Sequence, residues 1–397
     1  MAMIAPFPGV HFPPSRALPD LLAPPYDIIS PADHERLAAL HAHNIVHLTL
    51  GTPGRRRDYP GIGARLRRWI HEGVLVQDPQ PAFYAYCQEF VHEGTVQKFW
   101  GVLGLLRLEP FGAGMIFPHE AVHAGPVEDR LKIMEGTRAN LEPIISLYRS
   151  PSDPMNLLFE SLEAQPPSIA AADATGSRHR LWTLDAPRTR ARIQRTVRRL
   201  PFFIADGHHR YHSAWLYRAR HRRNRDAQWM LSLIANTEQR GLKILPYHRI
   251  VTCEAPVPAS LPQDCGRFGK VEKLGRSAGA ALAAPARGVL GFSSRAAGAW
   301  LLHLPPLPAG TAPRGQLEVA RLHDLLPQLV RVKAVDFTRD AAEAVQAALR
   351  SPHVLACCLP APSSAQITQI AFDGETLPQK STFFLPKPAS GLLLRLF

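Results

Sequence analysis

Short apolar segments typical of buried strands alternate with segments of helical periodicity along almost the whole chain. Residues 144–148, 202–205 and 229–236 are apolar runs bounded by polar residues, as in buried strands. Residues 128–137, which precede the first run, and residues 187–200, which lie between the first and the second, have helical spacing. Because both kinds of segment are interleaved, with hairpins among them, the pattern predicts a mixed α/β or α+β fold.

The same patterns predict the remaining elements, including a hairpin that turns at Glu93 and Gly94. Strands are predicted at residues 44–50, 82–91, 96–108, 354–359, 367–372 and 383–385. Helices are predicted at residues 31–40, 61–76, 317–330 and 339–350, and from His208 onward. Residues 255–315 are rich in Ala, Gly and Pro, which indicates a domain boundary or a loosely packed insertion.

The composition is that of an ordinary globular protein, with 46% hydrophobic and 20% charged residues. The 397 residues are enough for two or three domains. The longest uncharged apolar run, residues 99–106, is far shorter than the roughly 18–20 residues that span a bilayer. The N-terminal residues 1–14 contain no Lys or Arg, so no signal peptide is expected. The five cysteines form no C-x-x-C pair, which suits reduced thiols and a cytoplasmic location.

The chain is basic, with 46 Lys and Arg against 33 Asp and Glu and a formal net charge of +13. Such a charge suits nucleic acid, phosphorylated ligands or acidic lipid. Most of it is arginine, and with 38 prolines it also fits a compositionally biased genome. The arginine clusters at residues 188–199 and 218–225 lack interleaved aromatic residues and a helix-turn-helix pattern. The charge therefore identifies no particular partner.

Signature motifs of the large enzyme classes are absent from the sequence. There is no P-loop, protein-kinase motif set, nucleophile elbow, zinc-protease helix or dinucleotide glycine fingerprint. His208 and His212 have the spacing of metal ligands on one helix face, but no third ligand lies nearby in the sequence. These absences argue against the common nucleotide hydrolases, protein kinases, serine hydrolases and zinc enzymes.

The strongest positive signal is the transition from an apolar strand to a basic helix at Asp206 and Gly207. Glycine allows a positive φ and a close approach of a ligand to the backbone. The first N–H groups of the helix, with His208, His209 and Arg210, would form an anion site suited to phosphate. Asp206 would hold magnesium beside the phosphates, since carboxylate and phosphate oxygens commonly bind Mg²⁺ together. In the alternative interpretation, Asp206 caps the helix and the histidines are solvated.

Two further segments carry groups suited to phosphoryl chemistry. Glu120 lies in a polar loop after a short strand, where a glutamate could act as a general base. Lys380, Ser381 and Thr382 place a cation and two hydroxyls before the final strand, which also suits phosphate. The alternatives are a solvated loop carboxylate in the first segment and an exposed turn in the second.

These motifs occur together, and in this order, in a known bacterial family. They are residues 23–29 (Ala-Pro-Pro-Tyr-Asp-Ile-Ile), 44–46 (Asn-Ile-Val), 118–120 (Pro-His-Glu), 128–131 (Glu-Asp-Arg-Leu), 139–140 (Ala-Asn), 204–210 (Ile-Ala-Asp-Gly-His-His-Arg), 245–249 (Leu-Pro-Tyr-His-Arg) and 378–382 (Pro-Gln-Lys-Ser-Thr). The chain resembles the proteins catalogued as domain of unknown function 1015, often labelled ParB-like after the ParB/sulfiredoxin superfamily. Within that superfamily the nearest functional relatives are the free serine kinases, which convert L-serine to O-phosphoserine.

The resemblance to the free serine kinases implies roles for three blocks of residues. Residues 118–120 match the segment that carries their catalytic glutamate, so Glu120 would be the base, with Asp206 as the second catalytic residue. Residues 206–210 match their phosphate-donor motif, and residues 380–382 resemble their segment that contacts phosphate and serine. The candidates for substrate binding are His119, Arg130, Asn140 and Arg249.

The resemblance also implies a domain organisation. A ParB/sulfiredoxin-like phosphate-binding core would occupy residues 111–255. An N-terminal α/β module, residues 1–110, would precede it. A C-terminal α/β module, residues 256–397, would return the Lys-Ser-Thr segment to the site.

These inferences predict a kinase that phosphorylates free L-serine or a similar hydroxyl compound. It would use magnesium, with ATP, ADP or pyrophosphate as the phosphoryl donor. Two alternatives remain, a ParB-like nucleotide-dependent DNA-binding protein and a phospho-ligand sensor without catalysis. No membrane partner is expected.

Overall fold

The computed structural model describes residues 3–15, 17–275, 278–378 and 380–397. The chain divides into two units. The first unit comprises Met1–Pro118, Val122–Lys243 and Pro386–Phe397, and the second comprises His119–Ala121 and Ile244–Leu385. The three-part division predicted from composition and resemblance, with limits at residues 110 and 255, stays a prediction.

The first unit is built on a mixed sheet that contains nine strands among the described residues. Eight of them follow one another across the sheet in the order Ile116–Phe117, Phe202–Asp206, Ile144–Tyr148, Trp229–Asn236, Thr95–Arg107, Phe83–His92, Arg178–Leu184 and Ile169–Ala172. The ninth, Ile4–Ala5, pairs with Thr95–Arg107. Phe202–Asp206 is parallel to Ile116–Phe117, and Trp229–Asn236 is parallel to Ile144–Tyr148, whereas the other pairs are antiparallel.

Helices cover this sheet and supply its hydrophobic core. In chain order they are Leu18–Leu21, Pro31–Leu40, Val46–Thr49, Tyr59–His71, Ala124–Thr137, Met155–Glu163, Pro187–Val197 and His208–Arg220. Short 3₁₀ turns lie at Tyr26–Ile28 and Asp226–Gln228, and short strand pairs join Val10–His11 to Val76–Gln77 and Ala139–Asn140 to Arg395–Leu396. Buried helix residues such as Leu131 and Tyr211 pack in one cluster with strand residues such as Ile144 and Ile204.

The second unit contains an antiparallel sheet with six strands in the described part of the chain. Their order is Lys270–Leu274, Gly298–His303, Val289–Ser294, Val354–Cys358, His248–Cys253 and Val332–Thr338. A separate pair joins Lys243–Leu245 and Phe383–Leu385. The helices are Leu261–Cys265, Ala278–Ala283, Glu318–Leu329, Ala341–Arg350 and Ser364–Phe372, with a 3₁₀ turn at Pro313–Gln316. Small residues allow close packing, since Ala344 and Ala348 of one helix are buried with Ala356 of the sheet.

The mixed α/β fold and most predicted elements are confirmed, but two predicted strands are helices. Residues 46–49 form a short helix rather than part of a strand, because Oδ1 of Asn44 accepts the N–H of Val46 and initiates the turn. Residues 367–372 lie in the helix Ser364–Phe372, which Ser363 and Gln366 start with reciprocal side-chain caps. A local side-chain hydrogen bond in the turn before the first helix, and a capping box at the start of the second, outweigh the strand-like apolar pattern.

The structure also describes the state of the cysteines and the lengths of the helices. All five cysteines lie in the described part of the chain, where they are buried and form no disulfide. Among the described residues, no helix is both long enough and apolar enough to cross a bilayer.

Two helices of the first unit approach so closely that a methyl group cannot be added at Gly136. A Cβ there would lie 2.4 Å from the backbone oxygen of Tyr59, so Gly136→Ala forces the helices apart. We expect a loss of about 1–3 kcal/mol and a lower midpoint of thermal unfolding. Gly125→Ala, in the same helix but with nothing within 4 Å of the added Cβ, is the control. It should be neutral or stabilising, and equal behaviour of the two variants would contradict the close contact.

Candidate functional site

The turn between the predicted strand and helix requires a glycine. The buried strand Phe202–Asp206 leads into the turn, and the helix His208–Arg220 begins directly after it. Gly207, between them, has a φ of +92°. A Cβ at this position would lie 2.7 Å from Cγ2 of Ile144. Glycine is therefore needed for both the backbone angle and the space.

Asp206 is the centre of a buried group of charges, the Asp206 cluster, formed with Arg210, Lys387 and Asp27. The NH2 group of Arg210 donates to Oδ2 of Asp206 at 2.5 Å, and Nζ of Lys387 donates to Oδ1. Lys387 also lies 3.7 Å from Oδ2 of Asp27. Burial alone would raise the pKa of Asp206, but the charges of Lys387 and Arg210 outweigh it and hold this pKa well below its usual range.

The guanidinium of Arg130 is fixed beside the aromatic ring of Tyr26. Its Nε donates to Oδ2 of Asp129 at 2.9 Å, and its NH1 group donates to the backbone oxygen of Thr49 at 3.0 Å. Its Cζ lies 3.9 Å from the centroid of the Tyr26 ring. Burial raises the pKa of Tyr26 to about 12, although the charges of Arg130 and Arg210 oppose the shift. Tyr26 is therefore neutral at physiological pH.

A small cavity lies against these groups in the first unit. Glu142 is one of its walls, and Oε1 of Glu142 accepts hydrogen bonds from the backbone N–H of Tyr26 at 3.1 Å and from Oγ of Ser390 at 2.5 Å. The cavity has a volume of about 30 Å³. We call it the Arg–Asn cavity; its lining residues are Arg130, Ile133, Met134, Ala139, Asn140, Leu141, Glu142, Arg210 and Met230.

Magnesium does not fit Asp206 as the structure places it. A metal ion would need a free carboxylate oxygen, whereas Oδ1 faces Lys387 and Oδ2 faces Arg210. Two cations beside the carboxylate would also repel a third. Within the described ranges of the chain, no group of three or more His, Cys, Asp or Glu side chains could hold a metal. The geometry assigns Asp206 to ion pairs rather than to metal binding.

The two histidines that follow Gly207 occupy the first turn of the helix. Nε2 of His209 accepts the backbone N–H of His123 at 3.1 Å, so this nitrogen carries no proton. His208 is buried, and its electrostatic influence helps to lower the pKa of Asp206. The histidines thus lie at a helix N-terminus, as the sequence predicts, and the anion site expected there from the N–H groups and the dipole stays a prediction.

Glu120 belongs to the second unit, where a segment far along the chain holds its carboxylate. Oε1 of Glu120 accepts the backbone N–H groups of Ser381 at 3.1 Å and Thr382 at 3.4 Å, and the hydroxyl of Thr382 at 3.3 Å. The backbone of Glu120 also pairs with Leu377 in an isolated parallel bridge. Oε2 accepts no hydrogen bond from the described residues, and the side chain is 16% exposed. One oxygen of Glu120 is fixed, and the other remains able to accept a proton.

The direction of these hydrogen bonds defines the protonation of His119. This imidazole is 0% exposed, and its Nε2 lies 2.8 Å from Oγ1 of Thr382. The single hydroxyl hydrogen of Thr382 points to the carboxylate of Glu120, which can only accept. Oγ1 must therefore accept from His119, whose Nε2 carries the proton. We call this arrangement the His119–Thr382–Glu120 chain.

The remaining predicted residues of the second unit are Lys380, Ser381 and Arg249, and their roles in binding phosphate or substrate stay predictions. The hydroxyl of Ser381 donates to the backbone oxygen of Pro378 at 2.5 Å. Nζ of Lys380 lies 5.4 Å from the ring centroid of Tyr247, and Arg249 donates to the backbone oxygen of the same tyrosine. Burial lowers the pKa of Arg249 to about 10, an effect that Cys357 and Glu120 partly oppose.

Comparison with known proteins identifies the family. A family model described as DUF1015, a protein of unknown function, matches residues 4–319. The chain belongs to this family. Comparison with curated protein sequences finds no match.

Solved structures resemble this DUF1015 protein at low sequence identity. SbnI with a C-terminal truncation from Staphylococcus aureus is 14% identical, with a TM-score of 0.41, over 74% of this chain and 87% of that one. A conserved hypothetical protein from Pyrococcus furiosus is 12% identical, with a TM-score of 0.37, over 71% of this chain and 91% of that one. A free serine kinase variant in complex with ADP is 12% identical, with a TM-score of 0.37, over 70% of this chain and 89% of that one. Likenesses this low assign no function, and the ParB/sulfiredoxin-like core stays a prediction.

The predicted site residues of the DUF1015 chain fall into two groups. The first unit contains Arg130, Asn140, Asp206, Gly207, His208, His209 and Arg210. The second unit contains His119, Glu120, Arg249, Lys380, Ser381 and Thr382. The sequence analysis did not identify Lys387 or Glu142 as site residues. Tyr26 and Asp27 were part of a family motif, but no role was predicted for them. Two sequence features could have pointed to these residues. The family motif at residues 23–29 contains Tyr26 and Asp27, and the Ala-Asn pair ends two residues before Glu142.

Asp206→Asn should destabilise this DUF1015 protein strongly at neutral pH, because Lys387 and Arg210 would keep buried charges without a counter-charge. Loss of one partner of a buried pair costs roughly 3–5 kcal/mol. The pKa of Asp206 is depressed in the folded state, so its stabilisation is present above about pH 4 and is lost as the pH falls below that value. The difference in thermal unfolding midpoint between wild type and variant should therefore narrow below about pH 4.

The matched control for this measurement is Asp33→Asn, which alters an exposed carboxylate paired with Arg36. This variant should change the unfolding midpoint little at neutral pH. If Asp206→Asn lowered the midpoint equally at all pH values, the charge of Asp206 would not be the source of its contribution.

Proposed function

We propose that this chain is a kinase that transfers a phosphoryl group to the hydroxyl of free L-serine. The observation that supports the proposal best is the carboxylate of Glu120, which is held through Oε1 while Oε2 has no partner among the described residues. A fixed and partly exposed carboxylate suits a general base that takes the proton of an attacking hydroxyl. The resemblance of residues 118–120 and 206–210 to the free serine kinase motifs points to the same reaction.

Glu120 would accept the serine proton at Oε2 as the serine oxygen attacks the phosphorus atom. The bond between phosphorus and the donor's leaving oxygen then breaks, and O-phosphoserine and the shortened donor are released. Phosphoryl transfer depends chiefly on positioning and charge stabilisation, so a rigid base is an advantage. The contacts from Ser381 and Thr382 supply that rigidity.

The donor phosphates would bind at the N-terminus of the helix His208–Arg220. Its first N–H groups and its dipole favour an anion. Lys387 and Arg210 add little net charge to this site, because Asp206 and Asp27 largely neutralise them. The backbone of the turn, rather than the charged side chains, would thus make the main contacts with phosphate.

The direct test incubates the purified protein with L-serine and, separately, ATP, ADP or pyrophosphate, with and without added magnesium. Formation of O-phosphoserine, followed by ³¹P NMR, is the expected result with at least one donor. Absence of product with all three donors would overturn the proposal. Binding of a phosphorylated ligand without turnover would favour a sensor, and salt-dependent DNA binding would favour a ParB-like function.

Glu120→Gln should lower the turnover number about 10²–10⁴-fold, because the amide cannot take up the serine proton. Folding should be preserved, since the amide oxygen can still accept from Ser381 and Thr382. The control is Glu254→Gln, which changes an exposed glutamate of the same unit and should leave turnover unaltered. An unchanged rate in the Glu120 variant would remove this residue from the mechanism.

Thr382→Val removes the hydroxyl that joins His119 to Glu120 while keeping the shape of the side chain. We expect a lower turnover number with little change in the KM for serine, because the base loses one of its three hydrogen bonds. Thr382→Ser keeps the hydroxyl and should restore most of the rate. In ¹⁵N NMR, the Nε2 signal of His119 should shift in the valine variant alone, and an unmoved signal would contradict the His119–Thr382–Glu120 chain.

A further inference from the structure

A run of arginines without counter-charges lies on the helix Pro187–Val197 of the first unit and in the turn after it. The segment 187–199 contains six arginines, and residues 186–205 contain no Asp or Glu. None of these six arginines forms an ion pair with any carboxylate in the described part of the chain. The segment therefore carries six positive charges that no ion pair neutralises.

Three of the arginines form a row on the outward side of the helix, because its inward side is fixed in the core. Ile193 and Val197 are both 0% exposed, whereas Arg188, Arg192 and Arg195 are exposed. At about 100° per residue, the three arginines project within about 60° of one another, opposite the two buried residues. We call this row, which is about 10 Å long, the arginine stripe.

The fold fixes the helix of the stripe and leaves most of its donors available. Gln194 donates to the backbone oxygen of Ile4 at 3.0 Å, which holds the helix against the edge of the sheet. The NH2 group of Arg192 donates to the backbone oxygen of Pro154 at 3.0 Å. A guanidinium has five N–H donors, so Arg192 keeps several for a ligand.

Guanidinium groups in a row suit a chain of phosphates. A guanidinium donates two parallel hydrogen bonds to the oxygens of one phosphate, a geometry that lysine lacks. The helical rise spaces successive arginines of the stripe by about 4.5–6 Å along the axis. A nucleic-acid duplex carries one phosphate per about 3.4 Å of its axis on each strand. The stripe can therefore contact several phosphates of one strand.

The composition of the segment favours a duplex over a lipid surface or a single strand. A helix that lies in a membrane surface inserts an apolar face, but here the apolar face is buried in the core. None of the exposed large hydrophobic side chains of the described residues falls within residues 187–199. Single strands are bound largely by stacking on aromatic rings, and this segment has no aromatic residue.

We propose that the arginine stripe is a docking surface for the phosphate backbone of duplex nucleic acid. Its three arginines contact phosphates of one strand, and the exposed Arg198 and Arg199 add charge at the end of the helix. Phosphate contacts carry no sequence information, so the binding is independent of base sequence. It also needs no nucleotide, unlike the ParB-like alternative, and it does not depend on the proposed kinase activity.

The test follows the fluorescence anisotropy of a short labelled DNA duplex titrated with the wild-type protein at several salt concentrations, without nucleotide. Each phosphate contact contributes about −0.9 to the slope of log K against log salt, so we expect a slope of about −3 or steeper. Two duplexes of unrelated sequence should bind equally. Lack of binding at low salt, a strong preference for one sequence, or binding that requires a nucleotide would overturn the proposal.

A double variant, Arg188→Gln with Arg195→Gln, locates the binding at the stripe. Glutamine is a good helix former, so these exposed substitutions preserve the helix. We expect binding to weaken roughly tenfold or more at low salt, and the slope to become less steep by about 2. The matched control, Arg55→Gln with Arg56→Gln, removes the same charge from exposed positions of the same unit. Equal losses in the two variants would show that only net charge matters and would refute the stripe.

Other polyanions and the kinase assay complete the experiment. Phosphatidylserine vesicles and poly-glutamate are titrated under the same conditions and should bind more weakly than the duplex. Binding of either as tightly as the duplex would contradict the assignment to nucleic acid and would favour a lipid surface or an acidic protein. The double variant should form O-phosphoserine at the wild-type rate, because the stripe is not part of the proposed catalytic groups. The two proposals can therefore fail separately.

Discussion

The burial of Asp206 is the constraint on which the first unit's candidate site depends. A charged carboxylate in the interior is stable only when it is paired and hydrogen-bonded. Arg210 supplies one partner from the first turn of the following helix, but the other, Lys387, lies 181 residues away in the sequence. Asp27 approaches the same lysine from the N-terminal region. One buried charge therefore fixes three distant segments of the chain against one another.

Glu120 in the second unit is held by the same kind of long-range constraint, but with a different chemistry. Its hydrogen-bond partners among the described residues are two backbone N–H groups and one hydroxyl, 261 and 262 residues away, and Nε2 of His119 lies 3.8 Å from the same carboxylate oxygen. A carboxylate bound by cations, like Asp206, is stabilised as an anion and is a poor proton acceptor. A carboxylate bound through one oxygen only by neutral donors keeps its second oxygen for chemistry. The difference is the reason why we propose the base role for Glu120 and a structural role for Asp206.

The sequence predicted the features that local residues determine. The strand, Gly207 and the helix from His208 follow from a short stretch of neighbouring residues, and the structure has them as predicted. The contacts of Lys387 and Glu142 could not be predicted, because the residues that they contact are distant in the chain and form no local sequence pattern with them. For the same reason the sequence suggested that Ser381 and Thr382 bind phosphate, whereas the structure directs their donors to Glu120 and Pro378.

Net charge is a poor guide to ligand binding in this chain, despite the excess of basic residues. Around Asp206, two carboxylates offset two cations, and Arg130 is paired with Asp129. A cluster so balanced attracts an anion weakly at long range. The basic side chains of this cluster are already paired within the fold, so the net charge of the chain does not indicate where an anion would bind.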